Sequence, residues 1–167
     1  MPRRMKRILF VCTGNSCRSV MGQALLQFRL KQMQSRLTEP VEVLSAGVSA
    51  TEGMGASQET IALLQQRGMD ASGHLARHMS TETIRRADLV LAMEQFHKEE
   101  IVRRVPEARH KVHLLRTFGL TDLSNMPDPD IPDPIGKPME VYEVCYEMIR
   151  EAVDRVAEAL VAEQERK

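Results

Sequence analysis

Short, almost wholly apolar runs alternate along the chain with longer stretches in which apolar residues recur every three or four positions. Residues 7–12 scarcely alternate and are rich in Ile, Phe and Val, the pattern of a strand covered on both faces. From Arg18 to about Arg36 the spacing of Met21, Leu25 and Phe28, and of Leu26 with Leu30, predicts a helix. "VEVLSAGV" reads as a second strand ending at Gly47. "SQETIALLQQRG" offers a capping Ser57, an apolar face and a closing Gly68, so a helix with both end signals is expected there. "STETIRRA" predicts a short helix and "DLVLAM" a third apolar strand. "EQFHKEEIVRRV" predicts a helix stopped by Pro106, and "KVHLL" a fourth strand.

The pattern then breaks. "LSNMPDPDIPDPIGKP" carries five prolines, with Asp128, Asp130 and Asp133 between them, and predicts a long loop. From Met139 to about Ala162 helical spacing returns, with Val141, Val144, Cys145, Met148, Ile149, Val153 and Val156 near one face. Strands alternating with helices imply an α/β fold: a parallel sheet between two helical layers, a three-layer αβα sandwich. One domain is expected over residues 1–167, with 1–6 and 163–167 loose.

Composition narrows the function classes. Twenty-three Lys and Arg balance 23 Asp and Glu, so no global field draws in nucleic acid or an anionic membrane. Any anion must be bound locally. Three cysteines, Cys12, Cys17 and Cys145, do not suggest a secreted disulfide framework. The basic N-terminus precedes an apolar run that reaches only from Ile8 to Cys12, too short for a secretion signal or a membrane span. A cytoplasmic protein is expected.

In such sheets ligands sit beyond the carboxyl ends of the strands, where "CTGNSCRS" follows the first strand. A strand entering a short loop before a helix aims several backbone N–H groups at one point. The positive helix end behind them favours a phosphate dianion. The loop would run through Thr13, Gly14, Asn15, Ser16 and Cys17 to Arg18 and Ser19. Gly14 allows a tight bend, and Asn15 tolerates positive φ. Arg18, at the helix start, has the planar fork to grip two phosphate oxygens. The same field favours the thiolate of Cys12, a nucleophile, which Ser19 could support by a hydrogen bond. A small buried apolar side chain is the competing role for Cys12. A metal site on Cys12 and Cys17 lacks a second ligand pair, so no metal is expected. A phosphocysteine route needs a proton donor for the leaving group and a base for water. Asp133 is the candidate, yet Asp128 also precedes a proline, and spacing alone leaves both open.

"VCTGNSCRS", "SAGV", "ADLVLAM" and "DPIG" followed by "VYEV" resemble the low-molecular-weight protein tyrosine phosphatase family, in its order and spacing over nearly the whole chain. The resemblance implies a four-stranded parallel sheet and two-step phosphomonoester hydrolysis without metal or cofactor. Phosphorylated proteins or peptides would be the partners. It matches Cys12 to the nucleophile, Arg18 to the phosphate clamp and Asp133, rather than Asp128, to the general acid. Asn15, Ser19, Ser45 and His74 match a hydrogen-bond frame holding the loop. For Cys17 it implies a reversible disulfide with Cys12 that protects the nucleophile; packing beneath the loop is the other reading.

Phosphotyrosine is the default substrate of the family, and phosphoarginine is the rival. Ser16 stands where bacterial protein arginine phosphatases carry Thr and tyrosine phosphatases a larger aliphatic residue. Ile135 and Gly136 follow the Asp-Pro where tyrosine-specific members carry rings, a stacking loss of about 0.5–1.5 kcal/mol. The carboxylates of "PDPDIPDP" suit a guanidinium neighbour and equally a solvated turn. Related arsenate reductases need two further cysteines after the third strand, where "LAMEQFHKEE" has none. A phosphoprotein-binding module without turnover is the remaining class.

Overall fold

The computed structural model describes residues 4–167. Four strands, β1 (Lys6–Cys12), β2 (Val41–Gly47), β3 (Leu89–Ala92) and β4 (Val112–Leu114), form one all-parallel sheet in the order β2-β1-β3-β4. Five helices accompany it: α1 (Arg18–Gln32), α2 (Gln58–Gln66), α3 (Thr81–Arg86), α4 (Gln95–Arg104) and α5 (Met139–Glu165).

The period of two along β1 explains its unbroken hydrophobicity. Ile8, Phe10 and Cys12 enter a core with Met21 and Leu26 of α1 and Ile149 and Val153 of α5. Leu9 and Val11 enter a second core with Ile84 of α3 and Ile101 of α4. The sheet is thus the middle of three layers, as the alternation of elements implies. α1 lies so close to β1 that a Cβ on Gly22 would stand 2.6 Å from Phe10 Cδ1.

Register sets the site. Cys12 pairs with Gly47 and Val11 with Ala92, so β1, β2 and β3 end side by side. Residues 77–79 add to that edge, with Gly47 N–H donating to Arg77 O and Met79 N–H to Gly47 O.

Three boundaries differ from the sequence reading. α1 stops at Gln32, and Gln34–Arg36 tighten into a 3₁₀ turn after Met33, which is buried. Pro106 does not merely end α4: it opens a 3₁₀ turn through Lys111, where its missing N–H costs nothing. α5 continues through Glu165 because Gln164 is buried. Its Oε1 accepts from Thr38 N and Glu39 N at 2.7 and 3.0 Å. Residues 163–165, expected to be loose, are helical here, and Lys6 Nζ also lies 2.9 Å from both Glu163 carboxylate oxygens. Of the expected loose 1–6, residues 1–3 lie outside the described residues, and Lys6 already belongs to β1. Among the described residues no helix is long and apolar enough to cross a membrane.

Candidate active site

The loop between β1 and α1 turns at Asn15, whose φ of 53° is the one positive value outside glycine among the described residues. Gly14 does not take the left-handed conformation, and a Cβ there would meet nothing closer than Ser16 Oγ at 3.6 Å. The tight position is Gly47, on the neighbouring strand. A Cβ there would stand 2.5 Å from Thr13 O and 2.9 Å from Asn15 N, so the loop folds down onto bare backbone.

Asn15 organises the nucleophile side. Its Oδ1 accepts from Arg77 N–H at 2.8 Å, which fixes the orientation of the amide. Its Nδ2 donates to Ser19 Oγ at 2.8 Å and to Ser45 Oγ at 2.9 Å. The Ser45 hydroxyl in turn donates to Gln23 Oε1 at 2.6 Å. Ser19, already accepting from Asn15, has its proton free for Cys12 Sγ at 2.9 Å. The Asn15 backbone N–H also points at that sulfur, at 3.3 Å. His74 closes the frame, its Nε2–H donating to Asn15 O at 2.8 Å. Cys12, Asn15, Ser19, Ser45 and His74 are thus one connected network.

Arg18 organises the other side and is 1% exposed. Its NH1 donates to Glu94 Oε2 and to Ile131 O, both at 2.7 Å. Its NH2 lies 3.5 Å from Thr13 Oγ1 and 3.6 Å from Asp133 Oδ2. Nε has no side-chain or backbone partner among the described residues, so the Nε–NH2 edge is the one open to a tetrahedral anion. A buried guanidinium needs such a carboxylate beside it, because an unpaired charge there costs several kcal/mol.

The three aspartates of the proline-rich loop separate by contact. Asp128 Oδ1 accepts from Asp130 N in its own turn, and Asp130 Oδ1 accepts from Gln95 N at the start of α4. Only Asp133 faces Arg18, with its side chain 41% exposed. The backbone around it is tied down: Ile131 N–H donates to Met93 O at 2.9 Å, and Cys145 Sγ lies 3.1 Å from Pro132 O. Burial pushes the Cys145 thiol up to about 11, so it stays a protonated donor.

Cys17 is buried, with Sγ 3.3 Å from Ser57 Oγ and 3.8 Å from Tyr142 OH. Ser16 is half-buried, and its hydroxyl lies 3.6 Å from Cys17 Sγ. Its carbonyl accepts from Ser57 N–H at 3.0 Å. Ile135, half exposed, donates its N–H to Asp133 Oδ1 at 3.1 Å. Neither Ser16 nor Ile135 hydrogen-bonds Arg18 or Cys12.

Gln23, Glu94, His97 and the Ile131 carbonyl were not singled out from the sequence. Glu94 had a usable signal: it sits just past the third strand, at the strand end where ligands bind in such sheets.

The molecule's likeness to known proteins agrees with this geometry. The low molecular weight phosphotyrosine protein phosphatase family matches residues 7–166. A protein-arginine-phosphatase of Geobacillus stearothermophilus is 44% identical over 158 residues, covering 95% of this chain and 98% of its own. The low molecular weight protein-tyrosine-phosphatase Wzb of Escherichia coli (strain K12) is 36% identical over 157 residues, covering 94% and 97%. Among solved structures, the YwlE arginine phosphatase from Geobacillus stearothermophilus superposes with a TM-score of 0.81 at 43% identity, with 96% of each chain covered. A low molecular weight protein tyrosine phosphatase from T. tengcongensis gives a TM-score of 0.81 at 38% identity, covering 93% of this chain and 99% of that one.

Proposed function

This protein belongs to the low molecular weight phosphotyrosine protein phosphatase family, and we propose that within it the chain hydrolyses phosphoarginine in proteins. The observation that carries the choice is the wall beside Asp133. Pro134, Ile135 and Gly136 follow it with no ring to stack on a phenyl leaving group, while the partly exposed Asp133 carboxyl group beside Arg18 suits proton delivery to a guanidine nitrogen. The 44% identity to a protein-arginine-phosphatase supports the same reading.

In the proposed mechanism Cys12 attacks phosphorus as the thiolate, in line with the departing group. Ser19 and the Asn15 N–H stabilise the sulfur through oriented dipoles, which remain in place as its charge disappears. The open edge of Arg18 and the loop N–H groups hold the phosphoryl oxygens. Asp133 gives its proton to the leaving nitrogen, then takes one from the water that splits phosphocysteine. No metal or cofactor enters the reading. Phosphorylated proteins or peptides are the substrates.

Phosphotyrosine is the second reading. Phe96 favours it: this ring is 57% exposed and sits two residues past Glu94, close enough in sequence to the site to offer a wall. Phosphate release from matched phosphoarginine and phosphotyrosine peptides decides between them, with Cys12→Ser as the blank. The expected result is a higher kcat/KM on phosphoarginine. Preference for phosphotyrosine reverses the assignment, and release equal to the blank on both peptides removes the catalytic reading.

A further inference from the structure

His97, on α4, is fully buried among polar groups and has no part in the proposed chemistry. Its ring is held at both nitrogens. Nδ1 accepts the Glu94 backbone N–H at 3.1 Å, so the ring proton resides on Nε2. Nε2 lies 2.8 Å from Thr13 Oγ1 and donates to it. Thr13 immediately follows the nucleophile, and its Oγ1 is in turn 3.5 Å from Arg18 NH2.

Three points fix a plane. Glu94 Oε2 and Ile131 O fix one nitrogen of the Arg18 guanidinium, and Thr13 Oγ1 stands beside another. Thr13 has three staggered side-chain positions, of which the hydrogen bond from His97 selects one. We propose that His97 is a positioning residue for phosphate binding, acting through the Thr13 hydroxyl to set the plane of Arg18. This rests on the reading of Arg18 as the phosphate clamp.

The groups around His97 suit a ring that must stay neutral. Burial, helped by the Arg18 charge and opposed by Asp133, pushes His97 down to about 4. The Nε2–H donor and the Nδ1 acceptor therefore both persist at neutral pH. A second positive charge beside Arg18 would repel the guanidinium from Thr13 and compete for Glu94, whose Oε2 is 3.7 Å from Nε2.

The test compares His97→Gln, His97→Leu, Thr13→Val and the His97→Leu/Thr13→Val pair. Two quantities are read: hydrolysis of p-nitrophenyl phosphate with competitive inhibition by inorganic phosphate, and alkylation of Cys12 by iodoacetamide, a neutral reagent, in the absence of phosphate. His97→Leu and Thr13→Val should each weaken phosphate inhibition about tenfold, as for one lost hydrogen bond in a charged network. The alkylation rate should be unchanged. His97→Gln keeps an N–H donor and should recover most of the loss. The double variant should be no worse than either single one, because both remove one link. A His97→Leu protein that melts cooperatively and keeps wild-type phosphate inhibition overturns the proposal, as does a double variant whose losses multiply. Should His97→Leu fail to fold, Thr13→Val decides alone, since an unchanged inhibition constant there leaves His97 nothing to act through. Wild-type protein that hydrolyses no aryl phosphate would count against the phosphocysteine reading instead; phosphate binding by calorimetry then still tests His97.

Discussion

On one side of the phosphate loop the Cys12 sulfur meets only neutral donors, a hydroxyl and a backbone N–H, backed by Asn15, Ser45, Gln23 and His74. On the other side Arg18 meets the carboxylates of Glu94, just before α4, and Asp133, the Ile131 carbonyl of the proline-rich loop and the Thr13 hydroxyl. The difference follows from what each side must do. In the proposed mechanism the charge on sulfur comes and goes during turnover, and fixed dipoles stabilise it without moving. The charge on Arg18 is permanent and buried, and only a neighbouring opposite charge offsets its desolvation.

If that division is right, substitutions on the two sides should separate in the assays. The largest effect belongs to Arg18→Lys, which keeps the charge and loses the fork. kcat/KM should fall on the order of 10³-fold, read in steady-state hydrolysis, and a loss under tenfold would mean the fork is dispensable. Next is Glu94→Ala, which strands a buried guanidinium beside solvent. Its cost to folding should be about 2–3 kcal/mol, reduced from the fully buried case because Glu94 is 29% exposed. Urea unfolding measures it. Phosphate inhibition should weaken as well, with little change in Cys12 alkylation. Ser19→Ala should do the reverse: slower alkylation at fixed pH by about tenfold, with phosphate inhibition nearly preserved. Equal changes in both assays for either variant would dissolve the distinction between the sides.

A graded effect is set by pH. His97 is ordinarily half-protonated at 6.5 and is pushed down to about 4 in the folded protein, chiefly by burial. Between those values the unfolded chain binds a proton that the folded one does not. The stability held by neutral His97 is therefore complete above pH 6.5 and is lost as pH falls toward 4. The slope from this residue is at most about 1.4 kcal/mol per pH unit. Urea unfolding at intervals from pH 4 to 7 should show a shallower slope in His97→Gln than in wild type, and parallel slopes would remove His97 from the acid response.

Much of the loop side is legible in the sequence. The apolar run into Cys12, the helix pattern from Arg18 and the Cys-Gly-Asn-Arg-Ser order all lie within one stretch of chain, where local geometry decides the structure. Gly47 and Ser45 belong to the next strand of the sheet, and parallel pairing carries them beside the loop in register. Even there, the left-handed position fell on Asn15, while the close approach needed Gly47 more than Gly14. The clamp side was legible only in Arg18 and Asp133, and choosing Asp133 over Asp128 needed the family resemblance. In "AMEQFHKEE" the place of Glu94 just past the third strand is the one hint, and nothing marks His97 as a partner of a loop some eighty residues earlier. At the chain end, Gln164 looked like part of a charged, fraying tail, until the burial that anchors it against Thr38 and Glu39 was visible.

What the sequence determined by itself were the elements, their parallel order and the loop whose backbone gathers donors for an anion, because periodicity and turn chemistry act over a few residues. What the tertiary structure decided was which distant carboxylate and carbonyl meet Arg18, and which imidazole meets Thr13 beside it. Those contacts depend on how α4 and the proline-rich loop pack past the strand ends, a matter of chain closure over roughly eighty to more than a hundred residues that no local pattern encodes.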